Sequence, residues 1–180
     1  MKRTLGVCYY PEHWPKSFWK KDAKRMAEAG LSWVRIGEFA WSKIEPSSGV
    51  LQFEWLDEAI EILGSHGLSV VLGTPTATPP KWVLEKHPDM LAIDKEGRPR
   101  KFGSRRHYCF SHPGYREECI RIVTLMAERY GANPYVRAWQ TDNEYSCHDT
   151  THSYSDSART AFKSWLRVQY AGGGNDGDIN

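Results

Sequence analysis

The sequence predicts an α/β fold built on a parallel sheet, and three features of the chain support this. Short apolar runs, typical of buried strands, occur four times. A longer segment with apolar residues at helical spacing follows each of them. Polar and aromatic residues cluster after the carboxyl end of each predicted strand. Because four strand–helix units in series need crossovers between parallel strands, these clusters are expected at one edge of the sheet.

The predicted strands cover residues 4–9, 33–36, 69–72 and 136–140. The first is expected to be buried, and the turn after it contains Pro11 and Pro15. A loop must follow the third strand, because three prolines between 75 and 80 lack the backbone donors that a strand needs.

Each predicted helix has one apolar face. The faces of the first three are formed by Trp19, Ala23, Met26 and Ala27, by Leu56, Ala59, Ile60 and Leu63, and by Tyr115, Cys119, Ile122 and Met126. These helices are expected to end at Gly30, near Gly64 and Gly67, and at Gly131. The fourth helix is expected to open with Ser155, Asp156 or Ser157 as its N-cap. The residues that it should bury are Ala161, Phe162, Trp165 and Leu166.

The residues after the strand ends favour a TIM-type (β/α)8 barrel, whose catalytic face lies there. A doubly wound sheet would also bind ligands at that edge, but no glycine-rich phosphate-binding motif follows the first strand. A complete barrel needs about 250 residues, so the 180 residues are expected to hold only its first four βα units. We therefore predict the N-terminal half of a barrel domain at 1–170 and a flexible, glycine-rich tail at 171–180.

Charge and cysteine content narrow the function classes. The formal net charge of +2 gives no electrostatic footprint for nucleic acid or an anionic membrane. No apolar run at the N-terminus is long enough for a secretory leader or a membrane span. The four cysteines form no CxxC pair. Free thiols in a reducing cytoplasm are therefore expected, with neither nucleic acid nor membrane as a partner.

Aromatic residues are abundant, with 8 Trp and 9 Tyr. Their rings stack on the apolar faces of sugars and suit semi-polar clefts, although core packing explains many of them. Trp14 and Trp41 are candidate cleft walls on this basis, and packing explains either equally well.

The sharpest chemical feature is Asn143-Glu144, directly after the fourth predicted strand. Hydrolysis of a glycoside needs an acid that protonates the leaving oxygen and a second carboxylate opposite it. An asparagine beside the acid can hydrogen-bond a sugar 2-hydroxyl. Strand alternation is expected to turn the neighbouring Asp142 away. Alone, the dipeptide fits a surface carboxylate in a loop as well.

Five segments together resemble glycoside hydrolase family 42, the bacterial β-galactosidases. They are GVCYYPEHW at 6–14, VRIGEFAWSKIEP at 34–46, TPTATPPKW at 74–82, SRRHYC at 104–109 and WQTDNEY at 139–145. The resemblance extends over residues 6–170 and includes all four strand ends.

The resemblance implies a retaining enzyme that hydrolyses terminal non-reducing β-D-galactose residues from β-D-galactosides without a cofactor. It implies that Glu144 is the acid/base and that Asn143 and Arg105 bind the sugar. For Arg105, a salt bridge with a nearby carboxylate is the alternative. Arg35 and Glu38 are interpreted as supports behind the site, with Arg35 holding Glu38 or Glu144.

The sequence departs from the family pattern in two places. Family members often carry a four-cysteine zinc cluster, whose first ligand aligns with Cys109. The other three positions hold Ser153, Ser155 and Ala158, which cannot ligate zinc, so no metal site is expected. A substitute set would be Cys109, Cys147, His148 and His152. The second departure concerns the family's nucleophile, a glutamate on a later strand; Glu12, Glu38 and Glu45 do not occupy its motif.

Two alternatives to a β-galactosidase stay open. One is a non-catalytic half-barrel that binds carbohydrate and forms a homo-oligomer to cover its open sheet edge. The other is a retaining β-glycosidase of the same barrel type, such as a β-glucosidase or endoglucanase, because these share the Asn-Glu pair.

Overall fold

The computed structural model describes residues 4–103, 106–145 and 152–170. The strands are β1 (Gly6–Cys8), β2 (Trp33–Ile36), β3 (Ser69–Gly73) and β4 (Val136–Gln140). The helices are α1 (Lys16–Glu28), α2 (Trp41–Ile44), α3 (Glu54–Ser65), α4 (Lys81–Lys86), α5 (Pro113–Tyr130) and α6 (Asp156–Tyr170). Short 3-10 turns lie at Pro11–His13, Pro75–Ala77 and Pro88–Met90.

The described strands form one parallel sheet in the order β1-β2-β3-β4. Each strand therefore pairs with the next one in sequence, and a helix lies between each pair. In a doubly wound sheet the third or fourth strand returns to the other side of the first strand, whereas a (β/α)8 barrel adds its strands in one direction. The predicted fold class is confirmed: the chain forms the first four βα units of a barrel.

The core lies between one face of the sheet and helices α1, α3 and α5. Alternate residues of the two inner strands, Val34, Ile36, Val70 and Leu72, are fully buried. They belong to one cluster with Ala23, Leu56, Ile60, Leu63, Ile122 and Met126 from the helices. The apolar faces predicted for these three helices are thus the faces that pack on the sheet.

Two predictions about the outer units are wrong. The first strand was expected to be buried, but every residue of β1 is exposed, since β1 pairs with β2 alone among the described strands. The fourth helix was expected to bury Ala161, Phe162, Trp165 and Leu166, yet no residue of α6 is buried. The amphipathic pattern identifies the apolar face of a helix correctly, but a face is buried only where another element covers it.

The ends of α6 and of β3 follow their sequence signals. The Ser155 hydroxyl accepts the backbone N–H of Ala158 at 3.3 Å and so caps the first turn of α6. After β3, Pro75 starts a buried 3-10 turn in place of a continuing strand. In the described part of the chain, no helix combines the length and the apolar character that crossing a membrane requires. The predicted tail at 171–180 lies outside the described residues.

Candidate active site

The carboxyl ends of β1 and β2 meet through a contact between Tyr10 and the segment after β2. The Tyr10 ring stacks on Phe39 with their centroids 6.0 Å apart, and its hydroxyl donates to Glu38 Oε1 at 3.1 Å. Burial raises the pKa of Tyr10, and the negative charge of Glu38 raises it further. Tyr10 is therefore a neutral hydrogen-bond donor that ties the first strand end to the second.

Glu38 is fully buried just after β2, and two glycines make room for its side chain there. Gly37 has a φ of +89°, which favours glycine. A Cβ atom on Gly73 of β3 would lie 2.6 Å from the Cβ of Glu38, closer than real side chains approach. Arg35 Nη2 lies 2.9 Å from Glu38 Oε1 and neutralises the buried carboxylate. The Arg35–Glu38 contact foreseen from the sequence is thus present.

A second buried carboxylate, Glu12, follows β1. Both of its carboxylate oxygens are shielded from solvent and accept no hydrogen bond from the described residues. Burial raises the pKa of Glu12, which means that the surroundings favour its protonated form. Its position in the YYPEHW segment was visible in the sequence, but its burial was not.

The turn after β4 has an unusual backbone. Asp142 and Glu144 have φ values of +57° and +47°, in the left-handed region that most side chains avoid, while Asn143 lies between them. Asn143 is buried, and its Oδ1 accepts the Gln140 side-chain amide at 3.1 Å. Glu144 is exposed, so a substrate can reach its carboxyl group.

The expectation that strand alternation turns Asp142 away does not apply, because β4 ends at Gln140. Asp142 lies in the turn and is only 7% exposed. Its carboxylate accepts the Thr76 hydroxyl at 3.1 Å, so its side chain is directed to the loop after β3.

Residues from three strand ends surround one pocket of about 170 Å³. Its lining residues are Phe39, Ala77, Thr78, Arg106, Asn143 and Glu144. The volume is below the roughly 300–1,000 Å³ of most small-molecule sites. Glu144 is the one carboxylate among the described residues that line this pocket.

Arg106 is a pocket residue that sequence reasoning missed in favour of its neighbour. It is buried and has a φ of +54°. Its guanidinium lies over the Phe110 ring at 5.7 Å. Arg105, the arginine predicted to bind sugar, lies outside the described residues. Nothing in the local sequence marks Arg106 as a residue of this pocket.

The two predicted cleft tryptophans have different environments. Trp41 is fully buried, donates to Glu45 Oε2 at 3.1 Å and makes an edge contact with Trp82, so it is a core residue. Trp14 is exposed but does not line the pocket.

The residues at the family's zinc positions do not fit a zinc ion. Ser153 Oγ accepts the backbone N–H of Ile93 at 3.2 Å and donates to Ser155 Oγ at 3.1 Å. These hydroxyls link the chain before α6 to the loop at Ile93 by hydrogen bonds, and neither is a thiolate or imidazole. Of the substitute set, Cys147 and His148 lie outside the described residues. Within residues 4–103, 106–145 and 152–170, no group of three or more His, Cys, Asp or Glu side chains is arranged to hold a metal.

Comparison with known proteins identifies the family. The model of glycoside hydrolase family 42, described as beta-galactosidase, matches residues 8–177. The chain belongs to this family. It is 63% identical to a beta-galactosidase of Thermus thermophilus over 166 residues, which are 92% of this chain and 26% of that protein.

Solved structures of family relatives superpose closely. The beta-galactosidase of the psychrophilic Marinomonas ef1 has a TM-score of 0.92 and 61% identity, over 94% of this chain and 26% of that one. The enzyme of the haloarchaeon Halorubrum lacusprofundi has a TM-score of 0.91 and 52% identity, over 94% of this chain and 25% of that one. The resemblance seen in the five segments is confirmed. The chain spans about a quarter of the length of these relatives.

Proposed function

We propose that this chain carries the acid/base part of a retaining β-galactosidase, with Glu144 as the proton donor. The observation that carries the proposal is the turn after β4, which brings an exposed Glu144 and a buried Asn143 to the same pocket. Relatives at high identity are named beta-galactosidases. The substrate is accordingly a β-galactoside.

The proposed reaction has two steps. Glu144 gives its proton to the glycosidic oxygen while the bond from that oxygen to the anomeric carbon breaks and a second carboxylate attacks the carbon. Glu144 then takes a proton from water, whose oxygen displaces the carboxylate and leaves the β configuration unchanged. Among the described pocket residues Glu144 is the one carboxylate, so the nucleophile has to come from outside this pocket.

The neighbours of Glu144 have binding and supporting roles in this proposal. The Asn143 side chain binds a sugar hydroxyl, and Gln140 fixes its orientation. Arg105 binds the sugar in this proposal, as the resemblance to the family implies. Arg35 and Glu38, joined with Tyr10, support the strand ends from behind and keep Phe39 at the pocket wall.

A non-catalytic carbohydrate-binding half-barrel is the second candidate, and one observation favours it. A retaining mechanism needs two carboxylates about 5–5.5 Å apart, and the described pocket offers one. In that case residues 1–170 would bind a galactoside without cleaving it. A cytoplasmic location and assembly into a homo-oligomer remain predictions from the sequence.

Hydrolysis of a chromogenic β-galactoside tests the catalytic proposal. The assay compares the unsubstituted chain with Glu144→Gln and with Glu117→Gln, an exposed carboxylate on α5 as matched control. We expect Glu144→Gln to lower the rate by about 10²–10⁴-fold, the usual contribution of a general acid, and Glu117→Gln to leave it unchanged. Equal rates above background in the unsubstituted chain and Glu144→Gln would exclude Glu144 as the acid.

Two further readouts separate the alternatives. A retaining enzyme releases β-galactose first, which NMR of the fresh product detects; α-galactose as the first product would contradict retention. A higher rate on a β-glucoside than on a β-galactoside would favour the other barrel glycosidases. Binding of galactose without any hydrolysis would favour the half-barrel.

A further inference from the structure

Asp142 is a buried charged residue that the proposed reaction does not use. It lies beside Asn143 and Glu144, and it does not line the pocket. A carboxylate is costly to bury unless its oxygens are satisfied by donors. The contacts of Asp142 therefore show which residues stabilise its buried carboxylate and which part of the chain Asp142 restrains in turn.

Three hydrogen bonds join Asp142 to the loop after β3 and to its own turn. Its backbone N–H donates to Thr74 Oγ1 at 2.7 Å, and the Thr76 hydroxyl donates to its Oδ2 at 3.1 Å. The backbone N–H of Asn143 donates to its Oδ1 at 2.5 Å. We call Thr74, Thr76 and Asp142 the clamp.

The clamp is fixed to the core of the protein. The Tyr115 hydroxyl, from α5, donates to the backbone carbonyl of Thr76 at 2.9 Å. Tyr108 stacks on Tyr115 with ring centroids 4.2 Å apart, and both rings are buried. Thr74 and Thr76 themselves are buried. The two threonines that contact Asp142 thus have little freedom to follow it if it moves.

The clamp contacts the chain at a turn whose backbone is strained by unfavourable φ values. Asp142 and Glu144 both have positive φ values, and such conformations persist only where surrounding contacts impose them. Without these contacts, the turn that carries Glu144 would be free to change its φ values, which would redirect the Glu144 side chain. Because a shift of about 1 Å in a catalytic group can cost about a hundredfold in rate, the restraint has chemical consequences.

We propose that Asp142 is a positioning residue that, through Thr74 and Thr76, holds Glu144 in the orientation for proton transfer. The proposal rests on the proposed role of Glu144. It assigns a role to Asp142, which does not line the pocket, and to two threonines that lie 68 and 66 residues before it in sequence.

Amide exchange measured by NMR on the 180-residue chain tests the restraint without any need for activity. The variants are Asp142→Asn, Thr74→Val, Thr76→Val and Thr76→Ser, with the exposed Thr124→Val on α5 as control. We expect the amide of Asp142 to exchange about tenfold faster in Thr74→Val, which removes its acceptor, with core amides unchanged. Unchanged exchange of this amide would overturn the clamp.

Kinetics on the same variants test the positioning role. We expect Thr76→Val and Asp142→Asn to lower kcat by about tenfold to a hundredfold with KM within about threefold. Thr76→Ser, which keeps the hydroxyl, should recover most of the rate. A purely structural role would lower the amount of folded protein and leave kcat per folded molecule unchanged, and that result would overturn the proposal.

The two measurements also separate this proposal from the proposed function. If the unsubstituted chain shows no hydrolysis, the proposed function of this chain fails, while the exchange rates still decide whether the clamp restrains residues 142–144. If hydrolysis is present and exchange rises without a change in kcat, the clamp exists but does not position Glu144.

Discussion

The two inner strands and the two outer strands of the sheet have opposite environments. In β2 and β3, alternate residues such as Ile36 and Leu72 are completely buried under the helices. In β1 no residue is buried, and in β4 Trp139, which lies beside Leu72 in register, is 37% exposed. Stability is therefore concentrated in the middle of the sheet, whereas Glu144 follows an outer strand.

This separation explains why the turn after β4 needs its own restraints. A site at the end of an inner strand inherits rigidity from packing on both sides, as Glu38 does between Gly37 and Gly73. Glu144 follows a strand with less cover, so hydrogen bonds from the loop after β3 replace part of the missing packing. The turn at the edge of the sheet is thus restrained by residues that follow an inner strand.

The largest effect is expected from a core substitution on an inner strand. Leu72→Ala removes a fully buried side chain and should lower the free energy of unfolding by about 2–5 kcal/mol. Leu5→Ala, next to the outer strand β1, removes a side chain that is 64% exposed and should change it by less than about 0.5 kcal/mol. Urea denaturation of both variants measures the difference. Equal losses would mean that the outer strand is as well packed as the inner one.

A smaller loss of unfolding free energy is expected when the ion pair between Arg121 of α5 and Glu45, the residue after α2, is removed. Arg121 donates to Glu45 Oε2 at 2.7 Å and to Glu118 Oε2 at 2.8 Å, and Glu45 is fully buried. Arg121→Met keeps an apolar chain but leaves Glu45 without its cation, which should cost about 1–3 kcal/mol. The exposed Arg116→Met on the same helix is the control in urea denaturation. No difference between the two variants would contradict a stabilising role for the pair.

A pH-dependent contribution, below about 1 kcal/mol for a partly exposed pair, is expected from Asp57. A hydrogen bond from Arg129, with another from Tyr130, lowers the pKa of Asp57 below its usual 3.8. Near pH 3.8 and just below it, the unfolded chain therefore binds more protons than the folded chain. The stabilisation is complete above pH 3.8 and is lost as the pH falls through the lower pKa that Asp57 has in the folded chain. Asp57→Asn should flatten the stability profile in that window, measured by thermal unfolding against pH. A profile parallel to that of Glu61→Gln, an exposed carboxylate on the same helix, would contradict it.

Much of the fold follows from the sequence because local periodicity determines it. The predicted bounds of β2 and β4 match the structure, and the apolar faces of α1, α3 and α5 pack on the sheet. Burial at the edges does not follow, because an amphipathic pattern in α6 identifies a face without naming the element that covers it.

The site was predictable in position and less so in detail. Asn143 and Glu144 line the pocket, as their place after β4 suggested. Asp142 is buried in a turn where two non-glycine residues have positive φ values, for which the sequence has no local signal. Trp41 illustrates a different limit, since aromatic content does not separate a cleft wall from a core ring.

The smallest change in unfolding energy is expected on α6, where the outer unit is least covered. Phe162 and Trp165 stack with ring centroids 6.0 Å apart and are both more than half exposed. Apolar side chains exposed together promote association, so the chain should form oligomers that dissociate on dilution. Sedimentation velocity over a concentration series should show smaller species for the double variant Phe162→Gln, Trp165→Gln. The exposed Ile120→Gln on α5 should not change the distribution. Unfolding energies should stay within about 0.5 kcal/mol, because these rings bury little in the single chain. A monomer at every concentration would mean that this exposed apolar face does not cause association. The inner and outer units would then differ in their contribution to stability and not in their tendency to associate.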